Sequence, residues 1–560
     1  MKLQAEKWLF LLLICMLAIH PKYASAQDLE QIGKQPALRL NGGLTVLGNL
    51  YQVQGIPPRS NPFLWSINGS PTLTIYGVSL PFYFNIGAQE RNFAQPFNQF
   101  GVSPKYKWAT AHLGWRSLQF SPFTWGGLVM FGAGAELNPG KLRLAFFHGR
   151  LSKTVKEDTS QSFYNVIPTF RRIGTAFKLG FGSASNYVDL SFLKARDDSS
   201  SYTDAPERLR PEENAVLGIS GRFLIKKHVQ LGFDGAASAY TRDMSVDSTG
   251  DPELERLRFI LPANASTQLL LAGNAFIGYV SKAFNLKFNY KRVDPDFKSM
   301  GAFIFQSDLE AFTVEPSFSL FKNKVRLHGS LGLQRDNLLK NRFATTERTI
   351  GSVNLSLQPS AVYGLDLQYS NYGITQRAGI IPLNDTTRMA LVNRSFSCMN
   401  RFMKVSRKAS LMIVALGMYQ NLNSVNPFQA AALGNSVLVG NLSVNYSLLA
   451  TGLNFTAGFN YTSTEFQLGQ SVLAGPSAGL GRSFLKKKLN SSLSASYMLN
   501  YFNAQSGGAA MNLGLNLMYR ISASHQFIAN ARFTSNQSSS PVSVPFSELW
   551  MSAGYQFNFH

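Results

Sequence analysis

Charge is scarce in this sequence. Asp, Glu, Lys and Arg make up 15% of its 560 residues, against roughly 25% in soluble domains. Acids are the scarcer sign, 31 against 53 bases. Cysteine is almost missing: Cys15 falls in an N-terminal export signal, and Cys398 is left without an intramolecular partner. That excludes a disulfide scaffold and the cysteine-rich metal folds. No apolar run reaches the ~20 residues of a spanning helix; the longest nearly apolar stretches are 269–280 and 409–419. What is present is aromatic: 43 Phe, 21 Tyr and 6 Trp, with 46 Gly. Such a chain is too aromatic and too weakly charged to be disordered. If it sits in a membrane it must do so as a closed barrel, because in lipid only helices and closed barrels satisfy every backbone N–H and C=O.

Lys2 and Lys7 precede an apolar core from Trp8 to Ile19, and Ala24-Ser25-Ala26 forms an A-x-A cleavage site. This reads as a cleaved signal peptide over 1–26, with a mature start at Gln27. Ile14 before Cys15 argues against a lipoprotein site. The residues 27–36 read as a short periplasmic segment, and 37–560 as one barrel. So short a leader leaves no room for a separate plug domain ahead of the barrel.

Period-2 alternation carries the fold expectation. In 451–462, Leu453, Phe455, Ala457, Phe459 and Tyr461 alternate with Gly452, Asn454, Thr456, Gly458, Asn460 and Thr462. In 511–522, Met511, Leu513, Leu515, Leu517, Tyr519 and Ile521 alternate with Asn512, Gly514, Asn516, Met518, Arg520 and Ser522. The runs exceed the 5–6 residues usual in soluble sheets and suit the ~9–11 needed to cross a bilayer. Short turns are expected near Ser183-Ala184, Lys226-Lys227, Ala283, Asn323, Pro359-Ser360, Ala450-Thr451, Lys487 and Ala523. Longer polar loops fall between them. Short periplasmic turns with long extracellular loops make up the pattern of an outer-membrane barrel. The fold class is thus all-β: a single transmembrane antiparallel β-barrel of about 24–26 strands. Counting gives about 25, and an even number is expected, so the count is off by one, in either direction, with the region before residue 105 the place to look. The Asn/Gln/Phe/Pro-rich stretch 89–104 does not alternate and is a candidate lumen plug or constriction loop. The stretch 411–419 is apolar on both faces, which suggests contact with such a plug.

The chain ends Ser552-Ala553-Gly554-Tyr555-Gln556-Phe557-Asn558-Phe559-His560. Ser552, Gly554, Phe557 and Phe559 fill, in order, the polar, glycine and two hydrophobic positions of a barrel-insertion signal. The run Gln95–Trp108, then His112–Arg116, then Gly132–Gly140, together with Gln27 directly after the cleavage site, resembles a family of large outer-membrane barrel proteins of Bacteroidota. The resemblance implies a barrel in the outer membrane and no catalytic residue. It also implies that 91–140 is the most constrained part, where a plug or partner docks.

With the signal removed (Lys2, Lys7 and Lys22 against Glu6), the charge falls from +22 to +20. Thirteen of the 31 acids lie in three loops, 152–168, 196–213 and 242–258, whereas 386–560 holds only Glu465 and Glu548 against twelve bases. Arg116, Arg143, Lys287, Lys291, Arg326, Arg520 and Arg532 fall on the polar sides of their strands. A charge on the lipid side costs about 2–4 kcal/mol at the midplane, so these seven are expected to line the lumen, where a basic lining favours anions; the alternative is that they solvate the interior and pair with acids such as Asp366 or Glu315. The bases are spread over strands instead of clustered with exposed aromatics, which argues against nucleic acid as a partner.

No enzyme signature survives inspection. Gly475-Pro476-Ser477-Ala478-Gly479 matches G-x-S-x-G but lies in a strand-like run, without the strand–turn–helix elbow. The His residues form no H-x-x-x-H or H-E-x-x-H. No catalytic, cofactor-binding or metal site is expected, and no cofactor. The expected partners are outer-membrane lipid and lipopolysaccharide, the barrel-assembly machinery, and a plug or secretion partner protein. The expected function is a solute channel or transporter of the outer membrane. A plugged barrel acting as secretion accessory or surface-protein scaffold is the alternative, and an outer-membrane hydrolase a minor one.

Overall fold

A computed structural model describes residues 38–88, 94–157, 167–247, 259–304, 306–342, 344–378, 390–424, 434–467, 469–538 and 544–559. The signal peptide, Gln27, the segment 27–36 and residues 89–93 lie outside these. Alternating residues become strand wherever the sequence alternates, and each strand pairs antiparallel with its neighbour in the chain. The main sheet holds 28 strand segments. Two passes are each built from two segments, Phe63–Gly69 with Thr72–Ile75 and Gln99–Val102 with Lys105–Tyr106, so the chain makes 26 passes. The first strand, Leu38–Gln54, pairs with the last, Phe546–Phe559, over 13 residue pairs from Gly42↔Phe559 to Gln54↔Ser547. The sheet therefore closes, and no edge is left. Four passes precede residue 107.

Connections at one end are short throughout, and at the other many are long, the two-residue links after Phe466 and after Phe502 excepted. At one end lie turns such as Tyr76-Gly77, 183–186, 226–228, 321–324, 406–408 and 485–488; at the other lie 117–129, 153–170, 199–212, 242–266 and 294–308. Termini and short turns share one end, here called the turn end. Strands from Ala344 onward are 14–16 residues long, longer than a tilted crossing requires.

Residues directly opposite on neighbouring strands point to the same face, so the register carries the two faces around the ring. One face presents Phe146, Phe177, Leu217, Leu271, Phe312, Leu333, Phe459 and Leu493, each 43–60% exposed. Burying such side chains in apolar surroundings is worth roughly 1.5–3 kcal/mol each, so this face needs a non-aqueous neighbour. Near the turn end it carries Tyr446, Phe455, Tyr519 and Phe527, the aromatic girdle of a membrane barrel. The opposite, inner face carries Asn, Ser, Thr, Gly and most of the wall's charges.

Candidate functional site: the lumen and the segments folded into it

The lumen is filled on one side by two of the long loops. Residues 117–129 leave the strand Ala109–Arg116, turn inward and return at Met130–Leu137. Leu118, Phe120, Phe123 and Trp125 of this loop are buried, Trp125 completely. Loop 294–308 meets it: Gly301 and Ala302 form a two-residue parallel ladder with Trp125 and Gly126. Together they pack on the inner residues of consecutive strands, among them Ala145, Phe147, Ala176, Leu193, Val216, Ala236 and Val293. The Trp125 ring lies 5.3 Å from those of Phe120 and Phe147, and its Nε1 donates to Leu128 O at 2.9 Å. Contact is close enough that glycine is required opposite it: a Cβ on Gly301 would stand 2.5 Å from Leu193 Cδ2 and 2.8 Å from Thr124 O.

Polar bonds fix this plug to the wall. Thr124 Oγ1 and Ser191 Oγ are 3.1 Å apart, and Ser299 Oγ donates to Thr124 O at 2.6 Å. Asn214 accepts from Met300 N at 3.0 Å, and Ser238 Oγ donates to Lys298 O at 2.6 Å. At the loop end, Lys298 Nζ reaches both Glu212 oxygens at 2.8 Å, and Arg172 binds Asp197 and Glu212. Burial alone would raise the Glu212 carboxyl. The Lys298 charge and hydrogen bond, the Tyr240 hydroxyl and Arg172 outweigh it and hold that carboxyl below the usual range.

Of residues 89–104, Gln99–Val102 are wall strand. Gln95 Nε2 donates to Val129 O at 3.0 Å and Leu151 O at 3.3 Å, which ties 94–98 to the rim. Among the described residues, those packed on the inner wall belong to 117–129 and to the loop between Val293 and Leu309. Neither packs on the strand Ala409–Ser424, whose inner residues Met412, Val414, Leu416 and Met418 stay partly exposed. Alternation could not reveal the plug, because these loops do not alternate. One signal was available: 117–129 is a loop with Pro122 and Gly126-Gly127 that carries six apolar side chains, Leu118, Phe120, Phe123, Trp125, Leu128 and Val129, too many for a loop in water.

The register places the seven basic residues as follows. Arg116 is opposite Met130; Arg143 is on the face of Ala145 and Phe147; Lys287 and Lys291 share a face with Val293. Arg326 is opposite Ser356, Arg520 opposite Gln526 and Arg532 opposite Gly514 and Trp550. All lie on the face that the plug covers on its side of the ring. They differ in their partners. Arg143 binds Asp189 at 2.9 Å and stacks over Tyr187 at 4.1 Å. Lys287 stands 3.4 Å from Glu315, and Arg116 lies over the Tyr83 ring at 4.4 Å. Among the described residues, Lys291, Arg520 and Arg532 form no ion pair. The inner acids Asp189, Asp197 and Asp234 were not singled out from sequence, because their bases, Arg143, Arg172 and Arg222, become neighbours only through register.

Across 435–534 the inner face is polar, and among the described residues Arg520 and Arg532 are its only charges. Asn441 bonds Asn460, Thr456 donates to Asn445 at 2.7 Å, and Thr534 donates to Asn512 at 2.9 Å. Ser477 sits mid-strand in Gly469–Phe484, opposite Gly458 and Ser496, so Gly475–Gly479 forms no elbow. No group of His, Cys, Asp and Glu among the described residues could hold a metal ion. At the chain end, Ser552 and Gly554 face inward and Phe557 and Phe559 outward.

No family model and no curated protein sequence matches the chain. Solved structures similar to it include the siderophore receptor PirA from Pseudomonas aeruginosa, at TM-score 0.39 and 11% identity over 93% of this chain and 81% of that one. The ferric enterobactin receptor PfeA aligns at TM-score 0.42 and 10% identity, covering 93% of this chain and 81% of that one. OccAB4 of Acinetobacter baumannii aligns at TM-score 0.30 and 12% identity, covering 70% of this chain and 99% of that one. At these scores the three have no bearing on what the lumen does.

Proposed function

We propose that the protein is an integral outer-membrane barrel that passes small solutes through a lumen narrowed by its own loops, with a preference for anions. The observation that carries this reading is the two-sided wall: a closed ring with an apolar, aromatic-girdled outer face and a wet, polar inner face. A ring of 26 strands encloses more than the 16–18 strands that already leave an aqueous channel. The loops 117–129 and 294–308 occupy one side of that space, and the polar wall 435–534, charged only at Arg520 and Arg532, borders the rest. The unpaired bases Lys291, Arg520 and Arg532 would set the sign of the passing ions.

The buried apolar contact of the plug supports a second reading, in which the barrel is shut and serves a secretion or surface-protein partner. Proteoliposome swelling with neutral solutes of graded size separates the two. The channel reading expects swelling with a size cut-off, and a salt-gradient reversal potential of anion sign. A folded, heat-modifiable barrel that passes neither solutes nor ions overturns it in favour of the shut barrel.

A further inference from the structure

One cross-strand row on the inner face has an unusual order of chemistry. Arg326 stands opposite Ser356, Ser356 opposite Asp366, Asp366 opposite Met399, and Met399 opposite Leu416. Along the row the side chains are cation, hydroxyl, anion, thioether and alkyl. These residues border a cavity of about 600 Å³ near the turn end, with the Asn354 and Gln368 amides of the next row beside them. That volume lies within the range of small-molecule sites.

The two charges are not spent on each other. Strands lie ~4.8 Å apart, so Arg326 and Asp366, two strands apart, have Cα atoms about 9.6 Å apart. Arg326 Nη2 makes a long contact to Ser356 Oγ at 3.5 Å. Asp366 Oδ2 is 3.9 Å from Arg401 Nη2, and its side chain is 34% exposed. Both therefore keep bonding capacity directed at the cavity. A ligand that satisfies them needs a carboxylate and an ammonium a few ångströms apart, and an apolar group beside the ammonium for Met399 and Leu416. A simple anion would meet Asp366, and a simple amine would meet Arg326. The His328 imidazole stands in the second row, opposite Asn354, and lines the same cavity.

We propose that this cavity is a binding site for zwitterionic α-amino acids with apolar side chains. Arg326 takes the carboxylate, as guanidinium does bidentately. Asp366 takes the ammonium, and Met399 and Leu416 cover the side chain. The proposal deepens the channel reading, since it rests on a lumen that solutes enter.

The test is calorimetric titration of detergent-purified full-length protein with leucine, 3-methylbutylamine and 4-methylpentanoate. Leucine is expected to bind, and each single-charge analogue to bind at least tenfold more weakly. Arg326→Gln and Asp366→Asn should each weaken leucine at least tenfold, while Lys226→Gln, in a turn outside the lumen wall, leaves it unchanged; heat-modifiable migration checks that each variant is folded. Equal binding of leucine and either analogue, no leucine binding by folded protein, or leucine binding untouched by both variants overturns the site. Binding is read without conduction. Leucine bound by a non-conducting barrel would therefore sink the channel reading alone, and conduction without leucine binding would sink the site alone.

Discussion

At the scale of single residues, a base on the lumen wall counts toward ion selectivity only to the extent that no acid stands beside it. Arg143 and Lys287 have Asp189 and Glu315 at 2.9 and 3.4 Å, so their fields largely cancel at the distance of a passing ion. Lys291, Arg520 and Arg532 have no such partner among the described residues. Neutralising these three with Gln is expected to move the reversal potential toward zero, while Arg143→Gln combined with Asp189→Asn, which removes a base and its acid together, leaves it where it was. The same logic applies to the lock at Glu212. Its carboxyl is held below the usual range, so its contribution is present above the free Glu value near ~4.3 and is lost as pH falls through the depressed folded value. The other groups in this cluster are Asp197, Arg172, Tyr240 and Lys298. Conductance is expected to rise below about pH 4, and Glu212→Gln should show most of that rise already at neutral pH. A flat pH profile in both proteins would remove the lock from the account. Alternation in the sequence assigned the seven bases to the polar sides of their strands. It could not say which were paired, because Arg143 and Asp189 are 46 residues apart and meet only through register.

At the scale of elements, the strands and turns were legible and the in-folded loops were not. Outer residues must be apolar and inner residues wet, which forces a period of two, so the runs at 451–462 and 511–522 became the strands Leu453–Phe466 and Gln505–Arg520. The turns at Lys226-Lys227 and Lys487 lie where charge and polarity interrupt that pattern, and the left-handed φ of +48° and +63° at Lys226 and Lys227 marks a tight hairpin. The strands before residue 107 were harder, since two of those passes are broken by Ser70-Pro71 and Ser103-Pro104 and the period is cut short. The plug obeys no period at all; its aromatics answer to a wall assembled from strands up to 190 residues away. Ring closure depends on one small residue: a Cβ at Gly554 would stand 2.4 Å from Leu47 Cδ2 and 3.0 Å from Val46 O. Gly554→Val is expected to reduce the fraction of heat-modifiable folded barrel severalfold, and Gly554→Ala less so. Unchanged folding of the Val variant would show that the seam between first and last strand tolerates what the geometry forbids.

At the scale of the whole molecule, the ring is divided. From Ala109 to Leu320 the wall carries paired charges and a buried apolar cluster that seats 117–129 and 294–308. From Asn435 to Ser538 it is amide- and hydroxyl-lined and glycine-rich, with Arg520 and Arg532 as its only charges among the described residues. A conducting path would therefore run along the second half, with the plug as its opposite bank. Composition pointed to the barrel class, because few charges and many aromatics are what a wall between lipid and water needs. It could not point to this division, which depends on which strands the loops choose to cover. Single-channel conductance in planar bilayers tests the division most directly, comparing the native chain with one in which 118–128 is replaced by a Gly/Ser linker of equal length. Small steady steps from the native protein and clearly larger ones from the variant are expected. Steps of equal size would contradict a plug that narrows the lumen, and silence from both folded proteins would contradict a channel.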